Sequence, residues 1–188
     1  MAKLLLLDCD GTIREPLSGN KFISHPRDQK IVSGADKAIA HYHAKGWRVI
    51  GVTNQGGVGA GHKFLEDAIA EQAYTLELFP EIEAILFCPD FEGRLLYKVS
   101  RTEWSYFGGN QGEFRKPAPG MLYWAKYDVG QVDDWWYIGD RLEDEQAAAA
   151  AGVGFVWADV WRSRFLPGVH EMPPLSREQI GFLEDIDL

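Results

Sequence analysis

Cysteine is almost missing from this chain: Cys9 and Cys88 are the two among 188 residues. Two thiols cannot build a disulfide framework, and their scarcity fits a reducing compartment. A long apolar span is missing as well. The N-terminal leucine run is four residues long and ends in acids, so it reads neither as a signal peptide nor as a bilayer span. Positive charge is in short supply, with 19 Lys and Arg against 28 Asp and Glu and a net charge of −9. That field disfavours a nucleic-acid backbone or an anionic membrane as partner, although a local basic pocket can still hold one phosphate. Disorder is excluded by a hydrophobic content of 46%. The expectation is a soluble, cytoplasmic protein forming a single domain over residues 1–188, with its oligomeric state open.

What is there begins at Lys3-Leu4-Leu5-Leu6-Leu7-Asp8-Cys9-Asp10-Gly11-Thr12. Four consecutive leucines fit a short strand covered on both faces, as in a parallel α/β sheet. Asp8 and Asp10 should emerge at its carboxyl end, where open α/β sheets place ligands. Alternation puts both carboxylates on one side and Cys9 on the other. Two carboxylates aimed at one spot repel unless one is protonated or a hard cation such as Mg²⁺ lies between them. The alternative is an ordinary Asp-Gly turn with solvated acids.

Further along, residues 13–33 are rich in Pro, Gly, Ser, Asn and charge and predict an irregular excursion folded over that strand end. Ser33 is expected to cap a helix carrying Ala35, Ala38, Ile39 and Tyr42, with His41 and His43 on its solvated surface. A second strand, Trp47–Val52, runs into Thr53-Asn54-Gln55 and a glycine-rich loop through Gly61. Such a loop suits either backbone amides around an anion or a plain flexible turn, and no Gly-Lys-Ser/Thr follows to make it a P-loop. A helix over 64–79 should pack Leu65, Ile69, Leu76 and Phe79. A strand over 82–87 should follow, and then a loop or short hairpin across 91–114. Lys116, before a proline-started helix, can reach back to a buried anion or stand on the surface. A strand over 135–138 leads into Gly139-Asp140-Arg141-Leu142-Glu143-Asp144, whose acids could equally be dipole partners of the next helix. A last strand covers 153–157, and residues 158–188 read as a tail with a short helix near 177–183.

Taken in order, Asp8-Cys9-Asp10-Gly11-Thr12, Thr53-Asn54-Gln55, Lys116-Pro117 and Gly139-Asp140-Arg141-Leu142-Glu143-Asp144 resemble the four motifs of the haloacid-dehalogenase superfamily of phosphatases. The resemblance covers residues 3–157. It is nearest the heptose-bisphosphate phosphatases, with histidinol-phosphate phosphatases and the phosphatase halves of polynucleotide kinase phosphatases as similar relatives. It implies a Rossmann-like α/β domain, a mostly parallel sheet with helices on both faces and no large cap domain. It also implies Mg²⁺-dependent hydrolysis of a small-molecule phosphate ester, a sugar phosphate by preference, through an aspartyl-phosphate. On this resemblance Asp8 is the nucleophile and Asp10 the acid and base. Asp8, Asp140 and the Asp10 carbonyl would hold the metal, with Asp144 behind them. Thr53, Asn54 and Lys116 would bind the phosphoryl oxygens, and Arg115 the rest of the substrate. The alternatives are a polynucleotide 3′-phosphatase, a phosphotransferase, and a silent phosphate-binding protein on the same fold.

One departure stands out. The heptose-bisphosphate phosphatases usually carry a zinc loop of Cys-x-His and Cys-x-Cys. Here Cys88 is followed by Asp90 in the histidine place, and Gly112 and Phe114 replace the two later cysteines. One soft ligand cannot make a structural zinc site, so none is expected.

Overall fold

Leu4, Leu5, Leu6 and Leu7 are all fully buried. The computed structural model describes residues 2–184. These leucines form strand β1 (Ala2–Leu7). Leu5 and Leu7 enter one core cluster, and Leu4 and Leu6 the opposite one. Burying each such side chain contributes about 2 kcal/mol, so the run commits this segment to the centre of the sheet.

The chain next makes two short strands, β2 (Arg14–Glu15) and β3 (Lys30–Ile31), which pair with each other. Helix α1 (Ala35–Ala44) and strand β4 (Trp47–Asn54) follow. After the short α2 (Gly56–Gly59) come α3 (Leu65–Leu78), β5 (Ile82–Cys88), β6 (Leu95–Val99) and β7 (Trp104–Gly108). The rest is α4 (Gly120–Val129), β8 (Val132–Gly139), α5 (Leu142–Ala151), β9 (Gly154–Trp157), α6 (Ala158–Ser163) and α7 (Arg177–Glu184).

Seven strands form one sheet in the order β7-β6-β5-β4-β1-β8-β9. Strands β5, β4, β1, β8 and β9 are parallel, and β6 and β7 extend the edge as an antiparallel hairpin. Residues of α1, α3, α6 and α7 cover one face. Those of α4 and α5 cover the other. This is the mostly parallel, doubly covered α/β sheet expected. Strand β1 has β4 on one side and β8 on the other, so the strand order reverses there. Its carboxyl end is therefore the crevice in which this architecture holds ligands.

Several local expectations are corrected. Helix α1 starts at Gly34, which adopts φ 86° with no side-chain cap, so Ser33 does not cap it. His41 is half-buried, with its ring 5.4 Å from that of Phe165, whereas His43 is exposed. The inward face of α3 carries Glu71, Gln72 and Thr75 beside Ala68 and Leu76, not the purely apolar strip the spacing suggests. The stretch after residue 157 contributes to the core through Val160, Trp161, Phe182 and Leu183. No helix among the described residues is long and apolar enough to cross a membrane.

Candidate active site

Asp8 follows the last residue of β1 and is buried, as the packing of the leucine strand requires. Its Oδ1 accepts a 2.7 Å bond from Lys116 Nζ, and its Oδ2 accepts a 3.1 Å bond from the Thr12 hydroxyl. Gly11 turns the chain at φ 89°, and a Cβ there would come within 2.9 Å of Asp140 Cγ. Only glycine lets the two loops approach so closely.

Lys116 reaches back from the loop before α4 into this buried space. Its ammonium meets the Val52 carbonyl at 3.1 Å, the Tyr137 hydroxyl at 2.8 Å and Asp144 Oδ1 at 2.7 Å, besides Asp8. Tyr137 in turn donates to Asp144 Oδ1 at 2.7 Å. Burial pushes the Asp8 carboxyl up to about 7 against the opposing pull of Lys116. Burial would lower the Lys116 ammonium, but the charges around it, Asp8 first, hold it well above the usual lysine range. Asp144 is also pushed up by burial, yet Lys116 and the bonds from Tyr137 and the Arg141 amide leave it below the carboxylate range. The cluster thus keeps a charged lysine against the acids at neutral pH.

Asp10 has a different set of neighbours. Its Oδ1 accepts from Arg14 Nε at 3.0 Å, and its Oδ2 from Gln55 Nε2 at 2.9 Å and Thr53 Oγ1 at 3.4 Å. Burial would raise this carboxyl, but the Arg14 guanidinium outweighs it and holds it low. Asn54 does something the sequence does not suggest. Its carboxamide donates to the Lys116 carbonyl at 3.0 Å and accepts from the Lys116 amide at 3.1 Å. That side chain is engaged in fixing the lysine loop.

Asp8, Asp10, Thr53, Asn54, Arg115, Lys116 and Asp144 line one cavity of about 950 Å³. Part of its wall is the 20–24 stretch of the excursion after β1. The Arg115 guanidinium lies 4.9 Å from the centre of the Phe91 ring. A Cβ on Gly56 would sit 3.1 Å from Nη2 and 3.3 Å from the Phe91 ring, so that glycine leaves room for the stacked pair. Asp140 faces an adjoining cavity with Gly11 and Arg162. Its carboxylate still belongs to the central group. One oxygen each of Asp8, Asp140 and Asp144 lie within 4.8 Å of one another.

Those three carboxylates test the fit of a metal. Burial, with the charge of Asp144 and against the pull of Arg141, raises the Asp140 carboxyl. An all-oxygen donor set of this kind suits a hard ion such as Mg²⁺. Asp8, Asp140 and Asp144 come together, while the Asp10 carboxylate is turned to Arg14 and Gln55. Tyr137, Arg14 and Glu71 are not singled out by sequence reading, whereas Gln55 stands in the Thr53-Asn54-Gln55 motif and Lys63 reads as a cation beside the glycine-rich loop or an ordinary exposed residue. A tyrosine in an inward-facing strand position beside Gly139-Asp140 was the available signal for the first of them.

Comparison with known proteins agrees with this geometry. The family model described as polynucleotide kinase 3 phosphatase matches residues 3–152. D-glycero-beta-D-manno-heptose-1,7-bisphosphate 7-phosphatase of Pseudomonas putida is 31% identical over 80% of this chain and 78% of its own. D-glycero-D-manno-heptose-1,7-bisphosphate 7-phosphatase of Chlorobaculum tepidum is 29% identical over 81% of this chain and 76% of its own. The structure of D,D-heptose 1,7-bisphosphate phosphatase from B. bronchiseptica, solved with magnesium and phosphate, superposes with a TM-score of 0.60 at 28% identity. It covers 81% of this chain and 78% of that one. With its motifs at the strand ends and a family match over most of its length, this chain is a phosphatase of the haloacid-dehalogenase superfamily and belongs to the polynucleotide kinase 3 phosphatase family.

Proposed function

We propose that the enzyme hydrolyses a small phosphate monoester, a sugar phosphate by preference, with Asp8 as nucleophile and Asp10 as proton donor and acceptor. The observation that carries this reading is the pairing of Asp8 with Lys116 at 2.7 Å inside a cavity that Asp10 also lines. An Asp8 oxygen forms a bond to phosphorus as the ester P–O bond breaks, and a proton that Asp10 takes up from the incoming phosphate monoanion goes to the departing alkoxide. The Asp10 carboxylate then takes a proton from water, whose oxygen displaces phosphate from Asp8. Lys116, with Thr53, would neutralise the phosphoryl oxygens, and Asn54 would act by holding the Lys116 backbone. Asp8, Asp140 and the Asp10 carbonyl would hold Mg²⁺, with Asp144 behind them. When bound, the ion would offset the charge gathered between nucleophile and phosphate.

The heptose-bisphosphate relatives support a sugar-phosphate substrate, and Arg115, fixed against Phe91, offers a cation for a second anionic group. The unpaired buried thiols of Cys9 and Cys88 fit a reducing setting, and we place the enzyme in the cytoplasm. A panel of sugar phosphates, other small esters and a 3′-phosphorylated oligonucleotide, assayed with Mg²⁺ by phosphate release, tests the substrate class. Highest kcat/KM on a sugar phosphate is expected. Preference for the oligonucleotide would overturn that choice.

A further inference from the structure

Arg14 is completely buried, an expensive place for a guanidinium unless every donor is met. Its donors are met by more than Asp10. Nη2 donates to Glu71 Oε1 at 2.8 Å, and Nη1 reaches Gln29 Oε1 at 3.4 Å and the Thr75 hydroxyl. Glu71, with 1% of its side chain exposed, also pairs through Oε2 with Lys63 Nζ. Lys63 donates to Gln55 Oε1 at 3.3 Å, and Gln55 donates back to Asp10 Oδ2 at 2.9 Å. The contacts close a ring: Asp10, Arg14, Glu71, Lys63, Gln55 and Asp10 again. Its two carboxylates and two cations balance. Its members come from the loop after β1, strand β2, the residue after β4, the loop after α2 and the inward face of α3.

We propose that this ring is a positioning device for Asp10, with Arg14, Glu71 and Lys63 acting through it rather than on the substrate. Buried ionic networks add little to stability over an apolar core of equal volume, so stability alone does not account for a polar face on α3. Orientation does. Asp10 has donors on both oxygens, which fixes the plane of its carboxyl group. Oδ2 carries two donors and Oδ1 one, so Oδ1 keeps the lone pair that can carry a proton to the leaving group. Proton transfer demands hydrogen-bond reach and alignment, so freeing one side of the ring should cost rate where the leaving group needs that proton. The inference rests on the reading of Asp10 as proton donor.

The test compares the first step, phosphorylation of the enzyme, on glycerol phosphate and on 4-nitrophenyl phosphate by rapid quench and stopped flow. Lys63→Met cuts the ring at a partly exposed member, so the fold should survive. It should slow the alkyl ester roughly tenfold or more while changing the aryl burst less than about twofold. Glu71→Gln should follow the same split, and Lys63→Arg should recover the alkyl rate. Equal slowing of both esters, or a rise in KM on both without that split, would assign Lys63 to direct substrate binding and overturn the ring. Asp10→Asn is the control. If it shows the split and the ring variants do not, the ring is refuted while Asp10 stands. If Asp10→Asn shows no split, the proton-donor reading falls and the ring with it.

Discussion

Lys116 Nζ donates to the Tyr137 hydroxyl at 2.8 Å, and both side chains are buried. The phenol passes this interaction on to Asp144, so a strand residue ties Lys116 to the start of α5. Tyr137→Phe removes both bonds and leaves Lys116 and Asp144 with one partner fewer each. A loss of about 1–3 kcal/mol in urea denaturation is expected, the ordinary cost of unmet buried polar groups. Inhibition by inorganic phosphate should weaken in parallel. Unchanged stability and phosphate affinity would show that the hydroxyl has no such role.

Arg115 and Phe91 invite a test of substrate reach. Phe91→Ala removes the ring beneath the guanidinium and should raise KM several-fold on esters bearing a second anionic group. The kcat should stay within about twofold, as befits uniform binding. A fall in kcat with KM unchanged would place Arg115 in the chemistry instead.

Asp90 organises the segment that joins β5 to β6. Its Oδ2 accepts from the Arg94 amide at 2.9 Å, and its Oδ1 meets the Leu95 amide at 3.2 Å and the Cys88 thiol at 3.3 Å. Burial would raise this carboxyl, but those bonds hold it below the carboxylate range. A depressed folded value means that its stabilisation is present above the unfolded value, about 3.9, and is lost as pH falls through the folded one. Asp90→Asn should therefore destabilise the protein at pH 7, by about 1 kcal/mol, and the gap from wild type should close under strongly acid conditions. A gap that is the same at both pH values would contradict this role.

Metal content gives a further check on the same segment. Burial and Asp90 push the Cys88 thiol up to about 12, unlike a thiolate ready for zinc. Protein purified without chelator should hold zinc well below one equivalent. Stoichiometric zinc whose removal loosens the 91–114 segment would reverse the expectation.

The fold was legible where the signal is local. Four leucines ending in two aspartates mark a covered strand and its carboxyl end. The prolines before Met121 mark the start of α4. Long-range partnerships were not legible. Arg14 reads as one charge in an irregular excursion, and its pairing with Glu71, 57 residues away, appears only once α3 packs on the sheet. Glu71, Gln72 and Thr75 break the apolar period of α3 because that face serves a polar network. Asn54 looks like a phosphate ligand by its motif, yet its amide is matched to the Lys116 backbone 62 residues away.

The central claim is that Asp8 takes the phosphoryl group. Mixing enzyme, Mg²⁺ and substrate, quenching in acid within one turnover and reducing with borohydride would convert an acyl phosphate to homoserine at that residue. Peptide mass spectrometry should find homoserine at position 8 in the wild type, and Asp8→Asn should show neither this label nor turnover. Rapid turnover with no homoserine at position 8, together with substantial activity in Asp8→Asn, would contradict the account.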